Sequence, residues 1–507
     1  MGFTKRLLKE SWILSIGVMS CRAINYLLTP ILTRAFPVEG GQYAVITNVY
    51  AFTAILTVVL SLGMESTYFY FVGQTQDEER RKRIYSTILL FTGLFSMAVT
   101  FVVIPLFIEP IGMLTGTPEY KNCILALSIC VAFDTFHTIP AAFLRQHEKT
   151  GKYVSINILK TSLIVLLNCI YIYLLPMLEI YPHGMYGPNG EYDVSFVFYI
   201  NLFVSFIVTF FYWKELALAN FRLDGKLLGA ILKYGVSLFV VQIAGIIIQN
   251  ADKVLYLSLD VSDHSRQNLA IYGGVAKIAV VMSFINTIFR QAFNRLALNN
   301  AKKESNKDDM ATTMRNYVVF MLMAFLGANA FMNVFRYIIP EDYWSGLFVV
   351  PILMGTQILT GIYENIVMGF KQVNKNKWIM CLAAVTSLLF FVLYVTFVPM
   401  YGYVACAWTG FVSFGVASVL SYVVGRRVTK ISYPVLPLLC YVTVALVLFL
   451  CIVLINEHID TPVAILLNLP FVLLFIAYFI KKDLPQYYSI IRNKIYGKDY
   501  RKHYHRG

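Results

Sequence analysis

Charge is scarce in this chain. Asp, Glu, Lys and Arg together make 14% of its 507 residues, and acids are the scarcer sign, 28 against 42 bases. With 58% hydrophobic residues and a mean hydropathy of +0.65, a water-soluble fold would carry more apolar surface than one core can hide. The eight cysteines (Cys21, Cys123, Cys130, Cys169, Cys381, Cys406, Cys440 and Cys451) are scattered, mostly inside apolar runs, and form no CxxC. A metal centre or a disulfide framework is therefore not expected. No GxxxxGK[ST] loop is present, which argues against an ATPase. No connection is long enough for a soluble domain; the longest, Leu175 to Asp193, carries the turn-rich segment PHGMYGPNGEYD. The start MGFTKRLLKE is basic like a signal peptide. It lacks a small-residue cleavage site, and the apolar run continues past Arg22, so a retained first membrane helix is expected. Gly2 does not begin a myristoylation motif.

Long apolar stretches fill the space that polar residues leave. Fourteen are read as spanning helices: 11–33, 43–73, 84–108, 121–144, 153–178, 194–213, 234–259, 269–298, 316–338, 345–370, 378–398, 402–425, 434–455 and 461–480. Each approaches or exceeds the roughly 20 apolar residues that a bilayer core demands. Lys and Arg sort between alternate connections. With the N-terminus in the cytoplasm, the inner segments hold 32 of the 42, including Arg80 to Arg83 and eight between Lys481 and Arg506. The outer loops hold Arg34, Lys121, Arg266 and Arg336 alone. This asymmetry predicts that both termini are cytoplasmic. It also accounts for the net charge of +14 without nucleic acid, since basic loops face anionic lipid headgroups.

A repeat is legible. FLRQHEKTGKYVSINILKTSLIVLLNCIYIYLLPM begins at Phe143, and MGFKQVNKNKWIMCLAAVTSLLFFVLYVTFVPM begins at Met368. Both contain a basic-Gln pair (Arg145-Gln146, Lys371-Gln372), a Lys-rich turn, an aromatic, a long helix and a Pro-Met end. A weaker echo joins YAVITNVYAF to YGGVAKIAVV. The offset is about six helices, an even number, so the halves share one orientation and should be related by an axis along the membrane normal, with a substrate path where they meet. The expected organisation is an N-terminal lobe (1–217, helices 1–6), a C-terminal lobe (218–430, helices 7–12), two extra helices (431–481) and a basic cytoplasmic tail (482–507).

At this point the chain resembles the multidrug/oligosaccharidyl-lipid/polysaccharide exporter superfamily, and within it the bacterial polysaccharide repeat-unit flippases. The resemblance rests on LTRAF…GGQYAVITNVYAF…SLGMES at 32–66, FLRQHEKTGKY at 143–153, and QNADKVLYLSL…AIYGGVAKIA within 249–279. It implies an all-α, V-shaped transporter with two six-helix lobes plus two C-terminal helices. It also implies a polyprenyl-pyrophosphate-linked sugar unit as substrate, carried to the outer leaflet of the bacterial inner membrane. The related drug exporters usually have twelve helices, and helices 13 and 14 depart from that pattern.

The residues themselves argue for an anion path. Six cations lie within spans (Arg22, Lys160, Lys253, Lys277, Arg290, Arg295) against four acids (Glu65, Asp134, Asp252, Glu364). A charge at a helix centre costs roughly 2.5–3.5 kcal/mol on insertion scales, so these should line a wet cavity or pair with one another. Helical spacing groups Arg22, Asn25 and Thr29; Asn157, Lys160, Ile164 and Asn168; Gln242, Gln249 and Lys253; Asn286, Arg290 and Asn294; and Gln357, Gly361 and Glu364. Arg22, Asn25, Lys160, Lys277, Asn286 and Arg290 are expected to bind substrate, and Asp134, Asp252, Lys253 and Glu364 to couple an ion or gate. Plainer roles stand beside these. Arg295 is expected to snorkel, Asp252 with Lys253 can form a local ion pair, Asp134 with His137 a packing pair, and Glu65 a bond to a helix terminus.

The leading expectation is thus a flippase for an O-antigen, capsule or exopolysaccharide unit, without covalent chemistry, catalytic residues, metal or cofactor. Membrane lipids are its surroundings, a polymerase and glycosyltransferases are its expected pathway partners, and H⁺ or Na⁺ coupling stays open. A peptidoglycan-precursor flippase is a near variant. A multidrug cation antiporter would prefer an acidic cavity, and an enzyme of the same pathway would need catalytic carboxylates or a base at the outer face.

Overall fold

The computed structural model describes residues 3–182, 184–186, 191–220, 223–299, 306–373, 375–459 and 462–482. The basic tail beyond Lys482, and positions Asn189 and Asn374, lie outside the described residues, as do the side chains of Asn294, Arg295 and Asn306. The described chain is helical. Its longer helices are α1 (Phe3–Tyr26), α2 (Leu28–Ala35), α3 (Gln42–Ser61), α4 (Met64–Gly73), α5 (Glu78–Ala98), α6 (Lys121–Gln146), α7 (Thr150–Cys169) and α8 (Ser195–Phe211). They continue as α9 (Gly225–Val254), α10 (Ser265–Asn299), α11 (Asn306–Ala330), α12 (Val350–Gln372), α13 (Asn376–Val428), α14 (Val435–His458) and α15 (Pro462–Lys482). Among the described residues the sole strand-like pairing is an isolated bridge between Tyr186 and Tyr192.

Each of the fourteen expected stretches falls on helix, but the count of spans differs. Among the described residues eleven helices are long and apolar enough to cross a membrane, or twelve if the bent pair Gly225–Val240 and Gly245–Val254 is one span. Two features separate this from fourteen. Ser195–Phe211 is apolar but has only 17 residues, and the 53 residues of α13 run as one helix across a break. The break is at Gly402, whose φ of 56° and ψ of −139° are not helical, and it follows Pro399, which cannot donate a helical hydrogen bond.

Burial is inverted relative to a soluble protein. Asn48, Thr87, Thr92, Asn168, Asn286 and Asn468 are buried, whereas Phe203, Phe210, Leu446, Leu450 and Leu454 are exposed. Hydrocarbon solvates the apolar side chains and offers no partner to polar ones, so polar groups turn inward. This is a multi-pass membrane protein.

Two compact units emerge. The first comprises residues 1–279, 338–353 and 377–417, and the second comprises 280–337, 354–376 and 418–507. In the first unit α6 is the central helix, packed by α3, α5 and α8, while α1 lies along α7. Asp77 caps α5 by accepting from the Glu79 amide, and Asp224 caps α9 by accepting from the amides of Lys226 and Leu227. The chain breaks between α3 and α4, where Leu62 and Gly63 are left-handed (φ 43° and 68°). A Cβ on Gly63 would sit 3.1 Å from the Gly235 carbonyl oxygen and 3.1 Å from the Leu238 Cβ, so the absent side chain lets α9 cross at the break. The stretch 338–353 is tied to the first loop by Tyr343 Oη donating to the Phe36 carbonyl (2.6 Å) and the Val38 amide donating to Asp342 Oδ2 (2.8 Å).

In the second unit α14 packs along α11. An asparagine cluster fastens the last two helices there. Asn333 and Asn468 donate to Asn456 Oδ1 at 3.1 and 2.8 Å, and Asn456 Nδ2 donates to the Asn329 carbonyl at 3.1 Å. Such bonds fix the mutual rotation of helices that the hydrophobic effect alone cannot orient in lipid.

Candidate functional site

The four acids expected within spans all find cations. Asp134 binds Lys160, and its Oδ1 also accepts from Ser205 Oγ at 2.8 Å. Glu65 binds Arg145 at 2.7 Å, Asp252 binds Lys253 at 2.7 Å, and Glu364 binds Arg290 at 2.7 Å. Two expected pairings are corrected. His137 does not pair with Asp134; its Nε2 meets Thr209 Oγ1 at 2.8 Å and its ring stacks on Tyr212. Glu65 sits in the first turn of α4, but its hydrogen-bond partner among the described residues is a guanidinium eighty residues away in sequence, not an amide of that turn. In both cases the packing of neighbouring helices supplied a closer partner than the residue's own helix could.

In the first unit these groups line a cavity of about 160 Å³. Glu65, Asp134, Arg145, Asn157 and Lys160 share it with His137, Tyr153 and Tyr212. Arg145 is the most constrained of its cations. It donates to Glu65 and to the Ala141 carbonyl, and it lies over the rings of Phe69 (5.2 Å) and Tyr153 (4.9 Å). Cation–π contact and ion pair together satisfy it.

A second node in the same unit gathers around the end of α9. Asp252 is buried and accepts from Lys253 Nζ at both oxygens and from Tyr272 Oη at 2.6 Å. Tyr394 Oη donates to the Asp252 carbonyl, and Asn48 Nδ2 donates to the Lys253 and Val254 carbonyls. The node knits α3, α9, α10 and α13, so the local ion pair is the observed arrangement of these two residues. Beyond it, Asp260 accepts from Tyr256 Oη at 2.6 Å and from the Ser262 amide at 3.2 Å. Partial burial acts to raise its pKa, but the hydrogen bonds from Tyr256, Ser262 and Asn268 outweigh that and hold the carboxyl below the usual range.

Lys277 differs from the other span cations. It lies midway along the span Ser265–Arg290 and is exposed, whereas Tyr272, Val275 and Ile278 around it are buried. No acid pairs with it among the described residues; the surrounding protein desolvates its ammonium, and the charge acting on it is Lys253, itself paired with Asp252. Arg22 is half-buried and Asn25 exposed near the end of α1. Thr29, expected on the same stripe, belongs to α2 beyond the interruption at Leu27 and is buried.

The second unit holds a cavity of about 330 Å³ between α10 and α12, lined by Asn286, Arg290, Gly361, Glu364, Asn365 and Lys371 among others. Asn286, Arg290, Gly361 and Glu364, expected from helical spacing, meet here. Tyr317 and Lys371 were not singled out as site residues; their signals were an aromatic facing a helical glycine and the basic-Gln pair of the repeat. Gly361 admits Tyr317. A Cβ there would fall 1.7 Å from Tyr317 Oη, which donates to Asn286 Oδ1 and the Gln357 carbonyl, both at 3.3 Å. Among the described residues no group of His, Cys, Asp or Glu could hold a metal ion.

Comparison with known proteins supplies the family. Residues 7–293 match the model of the polysaccharide biosynthesis protein family. Among solved structures, the fold is similar to the lipid II flippase MurJ in an inward closed conformation (TM-score 0.70, 16% identity, 92% of this chain and 98% of that one). It is also similar to the multidrug transporter DinF-BH in complex with R6G (TM-score 0.59, 16% identity, 84% and 96%) and to an inward-facing multidrug resistance MATE family transporter (TM-score 0.57, 14% identity, 80% and 94%). No curated protein sequence matches it. At these identities the structures establish the fold alone, the all-helical fold that those proteins share. The family match spans more than half of the chain, and the chain belongs to the polysaccharide biosynthesis protein family.

Proposed function

We propose that this chain is a flippase that carries a polyprenyl-pyrophosphate-linked oligosaccharide, the repeat unit of an O-antigen, capsule or exopolysaccharide. The direction is from the inner to the outer leaflet of a bacterial cytoplasmic membrane, with both termini cytoplasmic. Family membership and the fold shared with a lipid II flippase support a lipid-linked substrate. The observation that carries the reading is Lys277, an exposed cation halfway along a span with no acid beside it among the described residues. Such a charge is costly in hydrocarbon and is retained for an anion. Pyrophosphate sheds water on entering, and charge-assisted bonds from Lys277 and Arg22 replace that hydration. A cationic drug would be repelled there, which disfavours the antiporter reading.

No bond is made or broken, so the protein supplies only a polar route. Outward movement of each negative charge across an inside-negative membrane is downhill by roughly 2.3 kcal/mol per 100 mV, and about twice that for a dianion crossing the whole field. The test is flux of a fluorescent lipid-linked oligosaccharide in proteoliposomes with an imposed potential. Lys277→Gln should slow it roughly ten- to a hundredfold, the size of one lost charge-assisted hydrogen bond, and inside-negative potential should accelerate the wild type. Unchanged flux in Lys277→Gln combined with Arg22→Gln would sink the reading.

A further inference from the structure

The basic-Gln pair occurs once in each half of the repeat, and each basic residue lines its own unit's cavity: Arg145 in the first, Lys371 in the second. The two cavities treat it differently. Among the residues that line the first unit's cavity the acids and bases balance: Glu65 holds Arg145 and Asp134 holds Lys160, so neither of these two cations is left over for an anion. In the second unit two cations, Arg290 and Lys371, face one acid, Glu364, already engaged by Arg290. Lys371 is exposed and joins no acid among the described residues. The cavity is also larger, about 330 Å³ against about 160 Å³.

We propose that the cavity between α10 and α12 seats a phosphate-bearing headgroup, bound by Arg290 and Lys371, with Glu364 as a built-in carboxylate that the phosphate displaces. The Arg290 side chain is 49% exposed, so solvent screens its pair with Glu364 and the two part at little cost. A phosphate offers more charge than one carboxylate, and Arg290 can bind it through two parallel N–H donors while Lys371 acts as a point charge. Tyr317, held in the space that Gly361 leaves, occupies Asn286 Oδ1 and leaves the amide nitrogen as the remaining donor of that side chain. The seat deepens the flippase reading and rests on it for one of two sources of the phosphate: the polyprenyl pyrophosphate itself. The other source is an anionic phospholipid headgroup.

Full-length protein in phosphatidylcholine nanodiscs distinguishes these, with polyprenyl pyrophosphate and phosphatidylglycerol as separate probes and occupancy read by native mass spectrometry. Arg290→Gln and Lys371→Gln should each weaken binding roughly tenfold, as expected for one charge-assisted bond. Glu364→Gln should tighten it severalfold, and Arg145→Gln should leave it unchanged. A response confined to the pyrophosphate probe assigns the seat to substrate, and one confined to phosphatidylglycerol assigns it to lipid. Binding of both probes indifferent to Lys371→Gln and Glu364→Gln, in protein that melts like the wild type, overturns the seat. So does an equal loss in Arg145→Gln. Wild-type flux of the lipid-linked oligosaccharide is measured alongside. Its presence with indifferent binding removes the seat alone, and its absence removes the flippase reading while the binding result stands.

Discussion

Asp134→Asn keeps the shape of the side chain and removes its charge, leaving Lys160 stranded between α6 and α7. The two side chains are 33% and 21% exposed, and Asp134 also accepts from Ser205. Unit charges about 4 Å apart attract by about 4 kcal/mol at an effective dielectric of 20. Water reaching the first-unit cavity, and the hydrogen bond from Ser205 that an amide retains, reduce this to a net loss of about 1–3 kcal/mol. Lys160→Met should cost a similar amount by stranding the carboxylate. The double variant strands neither group, so most of the loss should return, with a coupling energy of about 1–3 kcal/mol. Thermal melting of the purified protein reads all four species. Flux with membrane potential and pH gradient imposed separately reads function. A permanently neutralised acid predicts an unchanged response to both gradients in Asp134→Asn. Additive losses in the singles, or an altered response to the pH gradient, would refute the structural role and make Asp134 a proton-exchanging group.

Gly361→Ala should destabilise the second unit by about 1–3 kcal/mol, since the new methyl occupies the place of the Tyr317 hydroxyl and the ring must move. Melting equal to wild type would show that α11 and α12 do not approach so closely. Cysteines at Asn189 and His458 should react with an impermeant thiol reagent from outside, and those at Asn306, Asn374 and His503 only from the cytoplasm. Outside labelling of position 374 would break the topology drawn from the basic loops.

Much of the architecture is local chemistry and was legible residue by residue. A long apolar run satisfies its own backbone by becoming a helix, whatever surrounds it, so helices stand at all fourteen expected stretches. Where the count slipped, the cause was also local: a short run at Ser195–Phe211 and a helix resumed past Gly402. The pairing of charges was a different matter. Spacing along one helix suggested His137 for Asp134, yet the partner is Lys160 on the next helix; Glu65 reached Arg145, and Glu364 reached Arg290. Sequence determined that these charges needed company, because hydrocarbon does not solvate them. Tertiary structure alone decided which company, since that depends on how each helix is rotated about its axis. The rotation is set by contacts such as Gly63 against Gly235, Tyr317 against Gly361 and the cluster of Asn333, Asn456 and Asn468. The same rotation separates Arg145, spent on Glu65, from Lys371, which stands at the equivalent place in the repeat and joins no acid among the described residues.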